Sequence, residues 1–177
     1  MGFLQAFGFL RDASDVFWGA VFLVAGGAFL YLFAGGFARG QWWAVIPGLV
    51  LAGLGVVILL PDSLDDLGGA VFLGAIGLSF LLVYLSGREH RWWALIPGGV
   101  LMTLAVSAVA GDLGCGIFFL GLALTFLLVA LLAGMRWAYW PAGVLGVFGV
   151  FLFFQSQVEI SSYVAALALI VGGAVIV

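Results

Sequence analysis

Five arginines and eight acidic residues, with no lysine, cut this chain into apolar stretches of nearly constant length, and that spacing limits the possible folds more than any other feature. In order, the ionic clusters fall at Asp15, Arg39, Asp62 to Asp66, Arg88 to Arg91, Asp112, Arg136 and Glu159. The uncharged runs between them hold 23, 22, 21, 20, 23 and 22 residues, and 18 more run from Ile160 to Val177. A helix rising 1.5 Å per residue needs about 20 residues to cross a hydrocarbon layer of about 30 Å. The spacing therefore predicts an all-α membrane protein with helices near 17–36, 42–60, 67–86, 92–110, 114–133, 138–155 and 161–177. Composition agrees, since 66% of the 177 residues are hydrophobic and 7% charged, against about a quarter charged in soluble domains. The predicted segments are apolar around their whole circumference, which excludes a soluble bundle with polar outer faces.

The signs of the clusters give a threading. Short arginine-bearing loops stay on the cytoplasmic side of a bacterial inner membrane, so the loops at Arg39, Arg88 to Arg91 and Arg136 are expected inside. The acidic loops PDSLDD, GDLG and QSQVEIS are then expected outside, giving an outer amino terminus and an inner carboxyl terminus. Arg11, on the outer side, runs against the rule. Residues 1–15, with Phe3, Leu4, Phe7, Phe9 and Leu10, read either as a short helix lying on the outer surface or as a frayed lead-in. The opening MGFLQAFGFLRDASD has no basic leader and no small-x-small site, so no cleavable signal is expected.

One motif is written three times: GQWWAVIPGL from Gly40, RWWALIPGG from Arg91 and RWAYWPAGV from Arg136. Pro47 to Pro97 is 50 residues and Pro97 to Pro141 is 44, about one helical hairpin each. A second segment precedes each copy, as FWGAVFLVAGGAFLYLF, LGGAVFLGAIGLSFLLVYL and CGIFFLGLALTFLLVALL. The chain thus reads as a single transmembrane domain of three tandem hairpins, about 17–60, 67–110 and 114–155. A half repeat at 160–177 follows, in which Gly172 and Gly173 stand where Gly26 and Gly27 stood. Trp42, Trp43, Trp92, Trp93, Trp137 and Trp140, with Arg39, Arg91 and Arg136, are expected to anchor the headgroup boundary, where an indole has its apolar body in lipid and its N–H in water. Proline early in the helix costs little, because first-turn N–H groups have no partner in any case.

Small residues at helical spacing are expected to let helices approach closely: Gly99, Thr103 and Ser107 on the fourth helix, Ala70 and Gly74 on the third, and Gly143, Gly146 and Gly149 on the sixth. No ionisable residue falls within a predicted span, and the polar groups at mid-membrane are Ser79, Thr103, Ser107 and Thr125, whose hydroxyls are expected to bond back to their own helices. His90, in GREHRW, is the one candidate axial ligand for a haem or pigment, but beside two arginines and a glutamate it reads first as part of a solvated turn. Asp62, Asp65 and Asp66 read as turn and N-cap chemistry for the third helix rather than as an ion site. Cys115, the single cysteine, has no internal partner. Catalytic sets, phosphate loops and metal spacings are absent, so no enzyme is expected.

At WWAVIPGLVLAGLGVVILL and WWALIPGGVLMTLAVSAV the pattern of aromatic entry, Pro-Gly and a Leu/Gly run resembles uncharacterised bacterial polytopic membrane proteins with hairpin repeats, and distantly the LiaF/LiaI-type transmembrane region. The likeness covers Trp42 to Leu60 and Trp92 to Ala110, and loosely Trp137 to Phe154. It implies an envelope-stress-related membrane role, but this chain departs in showing no soluble domain within its 177 residues, and no site residue carries over. The residues themselves point to a non-catalytic membrane protein that assembles with itself or with other membrane proteins, such as an accessory subunit of a photosynthetic or respiratory complex. A channel or carrier for a small neutral or apolar molecule is the competing reading. No cofactor is expected beyond lipid between helices, with a bound pigment left open, and no nucleic-acid partner.

Overall fold

The computed structural model describes residues 2–36 and 41–155, all helices and turns. Six α-helices follow one another: α1 Gly2–Gly36, α2 Val45–Ile58, α3 Gly68–Leu85, α4 Leu95–Ala108, α5 Gly114–Leu132 and α6 Tyr139–Gln155. α1 runs unbroken through residues that were expected to be a separate lead-in. No proline or glycine pair interrupts GFLQAFGFLRDASDVFW, so nothing ends the helix before the apolar run begins. The expected crossing at 161–177 and the turn at Arg39 lie outside the described residues.

Four helical stretches are long and apolar enough to cross a membrane: Ala13–Gly35, Asp62–Leu85, Gly111–Leu132 and Arg136–Gln155. The stretches Trp42–Ile58 and Trp92–Ala108 are apolar but shorter than expected. Each was expected to run two residues further, to Leu60 and Ala110. The helix instead closes early, with Leu60 N–H bonding Val57 O at 3.2 Å and Ala110 N–H bonding Ser107 O at 3.2 Å, the tight spacing of a terminal turn.

All three tryptophan segments fold alike. Trp42–Ala44, Trp92–Ala94 and Arg136–Ala138 are single 3-10 turns that run straight into α2, α4 and α6. Pro47, Pro97 and Pro141 are each the third residue of the helix that follows, so their missing N–H falls among donors that have no intrahelical acceptor. The acidic turn before α3 differs from expectation. Asp62–Leu67 is itself a 3-10 helix led by Pro61, and neither it nor α3 receives a side-chain cap. Those carboxylates are exposed, where water is a competent partner.

Among the described residues, substantial helix contacts run only between consecutive helices, α1 to α2 and so on to α6. Because one row of helices has no second layer above it, large apolar side chains stay exposed along it, among them Val24 at 74%, Tyr31 at 78% and Val147 at 75%. Water would not tolerate so much contiguous apolar surface; lipid does. The best-buried cluster sits where the tryptophan turns meet the ends of α3 and α5, and joins Val45, Val83, Tyr84, Ala94, Leu95, Val129, Ala130 and Ala138.

Gly134, between α5 and the third tryptophan turn, has φ 68°, and open space surrounds its α-carbon. A side chain there meets no neighbour but strains the backbone. Gly134→Ala is expected to lower unfolding stability in mixed micelles by about 1 kcal/mol, while Gly69→Ala, also open but inside α3, is expected to be neutral or stabilising.

Candidate functional site

The chemistry of this protein is concentrated in its helix joints. Within each hairpin one stripe from each helix meets the other at spacing i, i+4, i+7. In the first, a β-carbon placed on Gly26 would lie 2.7 Å from both Ala52 N and Gly48 O, and one on Gly55 2.9 Å from Gly19 O. In the second, Gly77 would meet Met102 N at 2.9 Å and Gly98 O at 3.1 Å. In the third, Gly149 would meet Leu120 N at 2.7 Å and Gly116 would meet Phe153 Cα at 2.8 Å. Backbone against backbone leaves no room for a flexible side chain to yield, so these glycines set the interhelical distance.

The joint between hairpins two and three is reciprocal. Gly99 and Thr103 on α4 oppose Thr125 and Gly121 on the antiparallel α5, so each threonine fills the notch of the other helix's glycine. A β-carbon on Gly99 would lie 2.9 Å from Thr125 Cβ, and one on Gly121 2.9 Å from Thr103 Cβ. Thr103 Oγ1 donates to Gly99 O and Thr125 Oγ1 to Gly121 O, both at 2.8 Å. Each hydroxyl is thus satisfied by its own helix, and what crosses the joint is packing of the threonine branch, Oγ1 and Cγ2 alike, on glycine. Ser107 closes the far end, its carbonyl 2.7 Å from a β-carbon on Gly114, while its hydroxyl bonds Leu104 O at 3.0 Å. Between hairpins one and two the pattern is sparer, with Gly53 opposite Ala75.

The expected stripes divide accordingly. Gly99, Thr103 and Ser107 share the α4–α5 joint. Gly74 faces Ala105 Cβ across the second hairpin at 3.8 Å, and Ala70 is half-buried one turn earlier on α3. Gly143, Gly146 and Gly149 do not form one stripe: Gly149 is buried on α5, Gly146 lies 3.6 Å from Ala123 Cβ, and Gly143 faces open space. Three-residue steps each fall about 60° short of a turn, so Gly143 and Gly149 point about 120° apart. A shallow apolar groove runs past Gly143 and Gly146, walled by Leu124, Leu127 and Tyr139.

At the tryptophan turns the indoles do different work according to their position. Trp43, Trp93 and Trp137 stand edge-on to a phenylalanine of the preceding helix, Phe29, Phe80 and Phe126, at 6.3, 6.2 and 6.1 Å between ring centroids. Such a pair is worth about 0.5–1.5 kcal/mol beyond its burial. These three indoles remain 41–50% exposed, and Trp140 is 79% exposed. Trp42 and Trp92 are half-buried against the shared core. The Arg91 guanidinium covers the Trp42 ring at 4.6 Å and donates from Nη1 to Ser86 Oγ at 2.7 Å. Gly87 makes room for it, since a β-carbon there would lie 2.8 Å from that nitrogen. Arg91 therefore ties the second turn to the first, a role beyond anchoring that its position in the sequence did not reveal.

Arg136, Arg88, Glu89 and His90 are exposed, and Arg39 lies outside the described residues. No cluster of three or more His, Cys, Asp or Glu side chains that could hold a metal occurs among the described residues. Their buried polar side chains are Ser79, Thr103 and Thr125, and Ser79 Oγ too donates within its helix, to Ile76 O at 2.6 Å. Two signals were available but unread in the sequence: Gly121-x3-Thr125 mirrors Gly99-x3-Thr103, and Phe29, Phe80 and Phe126 hold the same place in each hairpin.

No family model, no curated protein and no solved structure matches the chain.

Packing of the threonine branch, rather than hydrogen bonding, across the α4–α5 joint has a measurable consequence. Thr103→Val keeps the branched shape and is expected to cost less than about 1 kcal/mol in equilibrium unfolding from mixed micelles, whereas Gly121→Val forces the joint open and is expected to cost about 1–3 kcal/mol. Arg91→Ala is expected to lose about 1 kcal/mol, with Arg91→Lys recovering only part of it because the planar stack and directed Nη1 bond are lost.

Proposed function

We propose that this chain is a non-catalytic integral protein of the bacterial cytoplasmic membrane that works through helix–helix contact, with itself or with other membrane proteins. In this reading it crosses the bilayer seven times as three and a half hairpin repeats, with its amino terminus outside and its arginine turns inside. Its role is that of an accessory subunit, packed along its row of exposed apolar helices against the helices of a larger photosynthetic or respiratory complex.

One observation carries the proposal: buried polar side chains among the described residues spend their hydroxyls on their own helices, while broad apolar faces stay open. General acid–base or nucleophilic chemistry needs positioned, unspent polar groups, and a proton or ion path needs ionisable groups facing the interior. What is available in quantity is surface that fits other helices or lipid. The channel reading has less support, since the small-residue stripe of α4, its best candidate for a passage, is filled by Thr125 and Gly121. The likeness to envelope-stress membrane regions stays a likeness of helix style.

Extraction from native membranes in mild detergent is expected to yield the chain in a stoichiometric assembly, with partner chains, and any pigment, identified by mass spectrometry and absorbance. A lone colourless monomer would overturn the proposal. Reconstituted vesicles are expected to show the same permeability to small neutral solutes with the wild-type chain and with Gly99→Leu; a flux that the substitution abolishes would favour the channel instead.

A further inference from the structure

The face of α6 that carries Gly143 is open, although its counterparts on the other two proline-bearing helices are each covered. Aligned on their prolines, Gly143 and Val147 of α6 fall where Gly99 and Thr103 fall on α4, and Val147 falls where Gly53 falls on α2. Gly53 is covered by Ala75 of α3, and Gly99 and Thr103 are covered by Thr125 and Gly121 of α5. On α6 a β-carbon at Gly143 would meet nothing within 4 Å, and Trp140, Val144 and Val147 around it are 79, 67 and 75% exposed. In each covered case the occupant is the next helix along the chain.

We propose that the Gly143 face of α6 is the docking face for residues 160–177 of the same chain. The inference rests on the reading of that segment as a membrane crossing, and it adds where the crossing binds and in what register. The segment carries no charge and holds 18 residues, the length a crossing needs. It begins five residues after Gln155, the last described residue of α6, and so short a separation along the chain holds it at an effective concentration of about millimolar beside α6. Register follows from the glycine pairs. With Gly172 aligned on Gly26 and Gly77, Ala174 takes the place held by Thr125, the residue that fills the notch of Gly99. Gly143 therefore receives Ala174. A competing occupant is the outer face of α1 in a second copy, where Val24, 74% exposed, takes the place of Ala75 and Gly121, and Ala28 that of Thr125.

The test uses the full chain in membranes with Cys115→Ser and paired substitutions Gly143→Cys and Ala174→Cys. Oxidation is expected to remove both free thiols, counted with a polymer-linked maleimide, while the band stays monomeric. Cβ atoms about 3.8 Å apart are what a disulfide needs, and Gly143 has room for the new side chain. A dimeric band from Gly143→Cys with Ala28→Cys would place a second copy on the face and overturn the proposal. Two thiols that stay free, yet are shielded from water-soluble maleimide, would overturn the docking while leaving the seventh crossing standing. A water-reactive Ala174→Cys would remove the seventh crossing and the docking with it.

Discussion

Lipid offers no hydrophobic reward for bringing two helices together, because an acyl chain is as apolar as leucine. Helices in such a solvent must gain by fitting more closely to each other than to lipid. In this protein the fit comes from glycine: Gly26, Gly55, Gly77, Gly116 and Gly149 each bring one helix's α-carbon against another's backbone. Everything else accommodates that approach. Threonine and serine hydroxyls turn back onto their own carbonyls, so no polar atom is stranded in the joint. Phenylalanine–tryptophan pairs brace the ends where helices diverge into turns.

Helices α2 to α6 were legible because charge is so rare that the clusters at Asp62 to Asp66, Arg88 to Arg91, Asp112 and Arg136 each mark a turn, whereas Asp15 lies inside α1. Boundaries were read less well for α2 and α4, since the apolar residues Leu59, Leu60, Val109 and Ala110 belong to the closing turns rather than the helices, and hydrophobicity does not distinguish the two in a membrane. The packing stripe of α4 was readable from Gly99, Thr103 and Ser107, but its partner was not. Small residues occur on every face of these helices, and spacing along one chain does not say which face meets which. Gly143 illustrates the limit: three glycines at equal steps look like one stripe, yet the helical pitch turns them onto different faces. The Arg91 stack on Trp42 joins residues about fifty positions apart, which no local pattern encodes.

The tryptophan turns bind these joints to one another. Hairpin joints act locally, between two helices, whereas the cluster around Val45, Val83, Leu95 and Val129 gathers residues from four helices at one end of the row. Arg91 adds a charged strap over its rim. The two ends of the protein differ in what lines them: tryptophan turns around a buried cluster at one, exposed acidic turns at the other.

A row in which each helix rests chiefly on the one before it also has a bearing on biogenesis. Every major pairing among the described residues joins segments that emerge from the ribosome one after the other, so each of these helices can find its mate as soon as it enters the bilayer, without waiting for a distant stretch of chain. Such low contact order favours rapid, stepwise assembly. During synthesis the newest helix always presents an uncovered side, and that side is filled by whatever the translocon delivers next.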